Sequence, residues 1–315
     1  MLRSELTDWM LRADTPSIPY WHLVAGIGIS PGDEKIRGAR RKIMRSGPVP
    51  AILARQTPAG NWRGERSYYT PKYVSTHWSM MLLTELGVDG RDPRFRRGVE
   101  YMLATTAEEL RRQMDSGSAE SACFWGNLLR YALHAGYLDD PRVQHLIRNA
   151  ASSLEKDPCR CRHNQHRPCA WGLVRTLWGL AAVPENRRTR SAKEAIGRGI
   201  AFLLDSHRLE KADYPFPEGG KINSIWFDLN FPLFYQVDIL FTLRVLEELG
   251  ALNRKGAQPA LDWLEGQRGK NGRWSGASPY RQRTWKVLGG RAETDRWTTL
   301  FALRVLKTAG RPVQE

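Results

Sequence analysis

The chain has 315 residues, and its 41% apolar content with 12 Trp is enough for a substantial core, which excludes a disordered chain. Lys and Arg outnumber Asp and Glu by 48 to 33, and the formal net charge of +15 suits an anionic partner or solvated arginines on outer helices. Basic residues occur in every quarter of the chain without a nucleic-acid motif, which disfavours nucleic acid. No stretch approaches the roughly 20 apolar residues of a membrane span, so no transmembrane segment is expected. Residues 1–8 lack the apolar core of an export signal, so the expectation is a cytoplasmic protein with reduced thiols.

Residues 1–33 read as an N-terminal extension with a short helix, 34–310 as one domain and 311–315 as a tail. Within the domain one grammar repeats: an apolar helix, a Gly stop, a turn, then an amphipathic helix. Thr76 to Gly87 is followed by Asp92-Pro93 and a helix carrying Phe95, Val99 and Met102. Ala122 to Gly136 is followed by Asp140-Pro141 and a stripe of Val143, Leu146, Ile147 and Leu154. Cys169 to Val183 ends at Pro184 where the others have Gly, Val237 to Gly250 precedes a helix started by Pro259, and Glu293 to Gly310 is the final apolar helix. Asp before Pro is an N-cap followed by N1, and Gly after the last apolar residue is a C′ stop. The first helix of each pair is apolar all round and must be buried, whereas the second is striped and faces water on one side. The chain is therefore expected to be all-α, built from stacked helical hairpins with inner and outer helices. From the pattern alone, both an open solenoid and a closed ring remain.

Two segments bear on closure: Gln56-Thr-Pro-Ala-Gly60-Asn-Trp62 and Gln267-Arg-Gly-Lys-Asn-Gly272-Arg-Trp274, the second with one extra residue between Gln and Gly. Each follows an outer helix, and they resemble the QW motifs of squalene and oxidosqualene cyclases. Tyr69 to Trp78 also resembles a motif of uncharacterised bacterial proteins related to squalene cyclases and prenyltransferase β subunits. The resemblance covers roughly residues 34–310 and implies an α/α toroid with a greasy lumen. The Asp-x-Asp-Asp acid motif and second domain of a full cyclase are missing, as are the zinc-ligand spacing of the protein prenyltransferases and the Cys-His-Gly signature of lanthionine cyclases. Asp140, in Leu138-Asp139-Asp140-Pro141, reads as an N-cap rather than as part of an acid motif.

Cys159-Arg-Cys161-Arg-His163-Asn-Gln-His166-Arg-Pro-Cys169 places three Cys and two His within eleven residues, and the fourth cysteine opens a second copy of one phrase. Cys123-Phe-Trp125-Gly126 and Cys169-Ala-Trp171-Gly172 both start apolar helices. Zinc prefers four Cys and His ligands, and Cys123, Cys161, Cys169 and His163 are the expected set; His166 and Cys159 remain alternatives, and small buried thiols beside a solvated loop the competing reading. Asp238, in an apolar run, is the expected catalytic acid, or a ligand for zinc or for the magnesium of a diphosphate, or simply a helix cap. Lys72, after Thr70-Pro71 at an expected helix start, is a candidate anion site. Tyr73, Trp78, Trp125, Trp171, Tyr235 and Trp297 cluster near helix starts and are expected to converge on a substrate pocket, although any one of them equally suits the core.

The resemblance implies an isoprenoid-handling enzyme, a prenyl transferase or terpene cyclase with a prenyl diphosphate as ligand, assisted by zinc and working alone or with a partner subunit. The competing expectation is a non-catalytic toroid with structural zinc that binds a protein or nucleic acid.

Overall fold

The computed structural model describes residues 5–30, 32–63, 67–116, 120–155 and 158–313. Helices α1 (Glu5–Leu11), α2 (Ser17–Trp21), α3 (Glu34–Arg45) and α4 (Pro48–Leu53) open the chain. Then apolar and striped helices alternate: α5 (Thr76–Glu85), α6 (Pro93–Ser116), α7 (Ala122–His134) and α8 (Pro141–Ser152). A small antiparallel hairpin of β1 (Arg160–Cys161) and β2 (Arg167–Pro168) precedes α9 (Ala170–Ala181), α10 (Arg190–Ala201), α11 (Ile239–Glu248), α12 (Gln258–Gly266) and α13 (Arg291–Thr308). The described residues are 59% helix and 2% strand, so the all-α expectation holds.

The expected punctuation is present. Asp140 caps α8 by accepting from Arg142 N at 2.8 Å, and Gly87, Gly136, Gly250 and Gly310 close helices with positive φ. The consecutive apolar helices α5, α7, α9, α11 and α13 pack side by side, and the striped helices α6, α8 and α10 form a second row against them. In α5 every residue but the last is buried, whereas α8 buries one stripe, Val143, Leu146, Ile147, Asn149, Ala150 and Ala151.

Among the described residues α7 and α9 share the most extensive contact between two helices. A Cβ at Gly126 would lie 2.6 Å from the carbonyl carbon of Arg175 and 2.7 Å from Thr176 N, and one at Gly179 would lie 2.5 Å from Gly126 O. Glycine at these positions lets backbone meet backbone, so this seam fixes the spacing of the two helices.

The two expected turn motifs have one geometry. Trp62 Nε1 donates to Ile52 O at 2.8 Å and Trp62 N to Thr76 Oγ1 at 3.0 Å; Trp274 Nε1 donates to Leu264 O at 2.7 Å and Trp274 N to Thr299 Oγ1 at 3.0 Å. Each indole thus ties a short helix to the next apolar one. The sequence alignment of the second motif on Gln267 is corrected by the structure. Gln56 Nε2 donates to Gly60 O at 2.9 Å, and its counterpart is Arg268, whose Nε donates to Gly272 O at 3.3 Å and whose guanidinium lies over Trp274. Gln267 is exposed, and the extra residue in the motif is accounted for.

Residues 5–27 are more than an extension. Leu6, Met10 and Ile18 belong to the same hydrophobic core as the later helices. Ser17 Oγ donates to Leu86 O at 2.6 Å, just past α5, and Glu293 of α13 accepts from Thr15 N at 2.9 Å, so this segment packs against both the first and the last apolar helix. In the tail, Arg311 pairs with Asp262 and Glu265 of α12; residues 314–315 lie outside the described residues.

Candidate functional site

The N-terminal ends of α7 and α9, with the segments leading into α5 and α11, surround a cavity of about 940 Å³. At the other ends of these helices, Arg244 pairs with Glu85 at 2.9 Å and Arg130 with Glu248 at 2.5 Å, so the helices run parallel from the cavity toward a belt of ion pairs. The cavity walls are aromatic: Tyr68, Tyr69, Phe124, Trp171 and Tyr235, with Tyr214 and Phe216 from the segment between α10 and α11. Lys72, Arg162 and Lys221 line it as exposed cations. The Lys72 Nζ lies 5.0 Å from the Tyr235 ring centre and 5.8 Å from that of Tyr69, held over two π faces.

Of the residues expected from sequence, Lys72, Cys123, Cys161, His163, Cys169, Trp171 and Tyr235 line this cavity. Tyr73, Trp78, Trp125, Trp297 and Asp238 are not among its lining residues. Trp125 turns toward the striped row, donating from Nε1 to Gln113 Oε1 at 2.7 Å, and the adjacent Phe124 faces the cavity instead. Trp78 is fully buried behind the wall, donating to Tyr69 O at 2.7 Å. Tyr73 is buried against Tyr280, Phe234 and Trp78, and Trp297 stacks on Phe231 with ring centres 4.3 Å apart. Lys72 sits in a turn rather than at the expected helix start, since α5 begins at Thr76, so it meets the cavity from that turn and not from a helix terminus.

Asp238 is the N-cap of α11. Its Oδ1 accepts from Phe241 N at 2.6 Å, and its Oδ2 accepts from Asn230 N at 2.8 Å and Asn230 Nδ2 at 3.0 Å. Burial raises its carboxyl to about 6 against these stabilising donors. With both oxygens engaged and no cavity exposure, the geometry gives it the work of a cap rather than that of a catalytic acid.

The thiols divide into two kinds. Cys159 is buried between Ser153 and Thr176, and burial pushes it up to about 12. Cys123 lines the cavity, with burial pushing it up to about 11. Cys161 and Cys169 both line the cavity. The neighbouring Cys169 thiol, helped by the backbone of His163 and Asn164 and opposed by burial, holds Cys161 down to about 6, and Cys161 in turn pushes Cys169 well up. His163 lines the cavity, whereas His166 turns outward toward Glu120 at 3.7 Å. Among the described residues no three His, Cys, Asp or Glu side chains come together as a group able to hold a metal ion. The expected ligand set shares one cavity, but among the described residues its side chains do not come together as a group that fits zinc or magnesium.

Sequence reasoning missed the wall from Tyr214 to Asn223, whose Pro215, Pro217 and Gly220 interrupt any periodicity. A long non-helical stretch within a helical repeat is itself the available signal. It also missed the polar interior beneath the cavity. Arg175 is fully buried, stacks 3.9 Å from the Phe241 ring centre and donates to Gln236 O at 2.6 Å, and burial lowers it to about 9. His77 stacks on Phe124 and is pushed down to about 3 by burial and then by Arg175. No helix among the described residues is long and apolar enough to cross a membrane. No family model, curated protein or solved structure matches the chain.

Proposed function

We propose that this chain is an α/α toroid whose lumen opens at the 940 Å³ cavity, and that it binds there an amphipathic small molecule with an anionic head, an isoprenoid diphosphate. Two packed rows of helices support the toroid, together with an N-terminal segment that touches both the first and the last apolar helix. The observation that carries the ligand class is the cavity itself: aromatic walls with a few convergent polar groups are the usual form of a small-molecule site. Trp171, Phe124 and Tyr235 would surround the tail, while Lys72, Arg162 and Lys221 would meet the head. Turnover of the bound molecule, as prenyl transfer or cyclisation, is part of the same proposal, but no step of it is routed through zinc or magnesium, and Asp238 is assigned no part in it.

Calorimetric titration with C10, C15 and C20 prenyl diphosphates tests this reading. Binding is expected to weaken with Lys72→Ala and to lose its tail-length preference with Trp171→Ala. Absence of binding by all three at millimolar concentration would overturn it.

A second reading rests on a separate observation. Arg37, Arg40, Arg41 and Arg45 of α3, with Arg91, line a groove of about 610 Å³ on another part of the surface. A scaffold that docks an acidic protein segment or a nucleic acid would use this groove and leave the cavity idle.

A further inference from the structure

The cavity wall contains chemistry that an amphipathic binding site does not need. In the hairpin, Cys161 stands opposite Arg167, and Cys169 follows two residues after Arg167, which places it on the same face and diagonal to Cys161. Both thiols are half-buried, and both line the cavity. Cys169 is anchored by its place at the start of α9, where its Sγ accepts from Gly172 N at 3.5 Å. Cys159, by contrast, is sealed in the core. A pair of thiols diagonal to one another, one on a small hairpin and one at the start of a fixed helix, opening on an apolar chamber flanked by Arg162 and His163, has the parts for two-step thiol chemistry.

We propose that Cys161 and Cys169 form a reactive dithiol that reduces organic hydroperoxides held in the cavity, with Cys161 attacking and Cys169 resolving. The Cys161 thiolate sulfur bonds to the terminal peroxide oxygen, the O–O bond breaks, and the departing alkoxide takes a proton to leave as an alcohol. Cys161 is then a sulfenic acid. Cys169 gives up its proton and attacks the Cys161 sulfur; the S–S bond forms, the S–O bond breaks, and hydroxide leaves with that proton as water. Two thiols have lost two electrons and two hydrogens, and the peroxide has become alcohol and water. An external dithiol reductant returns the pair to the starting state. The aromatic walls favour a hydroperoxide with an apolar body over hydrogen peroxide.

The inference uses the cavity but not the isoprenoid reading, so either can fail alone. The test treats the reduced full-length protein, with and without chelator, with one equivalent of cumene hydroperoxide and maps the products by mass spectrometry. The expected result is one intramolecular Cys161–Cys169 disulfide and a loss of two free thiols. Cys169→Ser should stop at a Cys161 sulfenic acid that dimedone traps, Cys161→Ser should lose the fast phase, and Cys159→Ala, at the thiol sealed in the core, should react as the parent does. Equal oxidation of all four thiols, a disulfide between other cysteines or between chains, or a fast phase that survives Cys161→Ser would overturn the dithiol assignment. Faster reaction with hydrogen peroxide than with cumene hydroperoxide would overturn the substrate class.

Discussion

Replacing Gly126 by Ala tests how the cavity is held open. The new Cβ would stand 2.6 Å from the Arg175 carbonyl carbon and 2.7 Å from Thr176 N, while ordinary contact begins near 3.4 Å. These partners, and the Arg175 carbonyl oxygen closer still, are backbone atoms of α9 and cannot rotate away, so the two helices must separate by about 1 Å. Overpacking of this kind costs about 1–3 kcal/mol, from which roughly 1 kcal/mol of improved helix propensity is recovered. Contacts on backbone belong at the upper end, giving a net loss of about 2 kcal/mol. Gly197, in α10, is the control: a Cβ there meets nothing within 4 Å, so Gly197→Ala should gain about 1 kcal/mol. The assay is equilibrium urea unfolding followed by circular dichroism, with the slope of the transition compared between variants. Because α7 carries Cys123 and Phe124 and α9 is followed from its start by Trp171, the separated helices should also bind the cavity ligand more weakly. If both Ala variants are stabilised alike, the seam does not set the helix spacing and the reasoning fails.

Asp238→Ala should leave Phe241 N and Asn230 N unpaired, while Asn230 Nδ2 keeps Ile225 O and Asp228 O, and reduce stability by roughly 2–4 kcal/mol without altering cavity binding. Burial raises the Asp238 carboxyl from 3.8 to about 6, so its linkage contribution is full below about pH 4 and lost as pH rises through about 6, some 3 kcal/mol in all. The variant should flatten that slope in unfolding measured across this window. Glu85→Ala strands the Arg244 guanidinium between Phe241 and Phe301 and should cost about 3–5 kcal/mol, much of it returned by the double change Glu85→Ala with Arg244→Met, as thermal unfolding would register. Alkylation by iodoacetamide, mapped by peptide mass, should be fastest at Cys161 and should fall as pH drops through about 6, with Cys123 and Cys159 slow throughout.

The helix order was legible because its signals are local. Asp-Pro starts, Gly stops and the contrast between all-round and striped apolar helices act within a few residues, and the apolar segments expected from 76, 122, 169, 237 and 293 correspond to helices beginning at 76, 122, 170, 239 and 291. The lining residues were legible only in part. A helix buried on every side gives no sequence signal for the side that borders a cavity, so Trp125 was chosen where the neighbouring Phe124 lines it. Asp238 looked chemical because a carboxylate in an apolar run is unusual, but Asn230, eight residues upstream in a non-periodic segment, supplies the donors that make it a cap. The thiol pair was partly readable: Cys169 opens a repeated phrase, whereas the orientation of Cys161 depends on a two-residue hairpin with no pattern of its own. Lys72 reached the cavity for a different reason from the one its Thr-Pro context gave.

The contacts of residues 5–21 set an order of events during synthesis. Thr15 N and Asp14 N are satisfied by Glu293, more than 270 residues away, and Trp9 O accepts from Arg296 on the same helix. Ser17 can find its partner Leu86 O, just past α5, early, but Glu293 of α13 is synthesised 278 residues after Thr15. Until then these first helices have apolar surface with no complete partner, and the loop to be closed is a long one. The slowest contacts to form are therefore those that join the two ends of the helix row, and a nascent chain stalled before α13 would expose this N-terminal surface to chaperones and proteases.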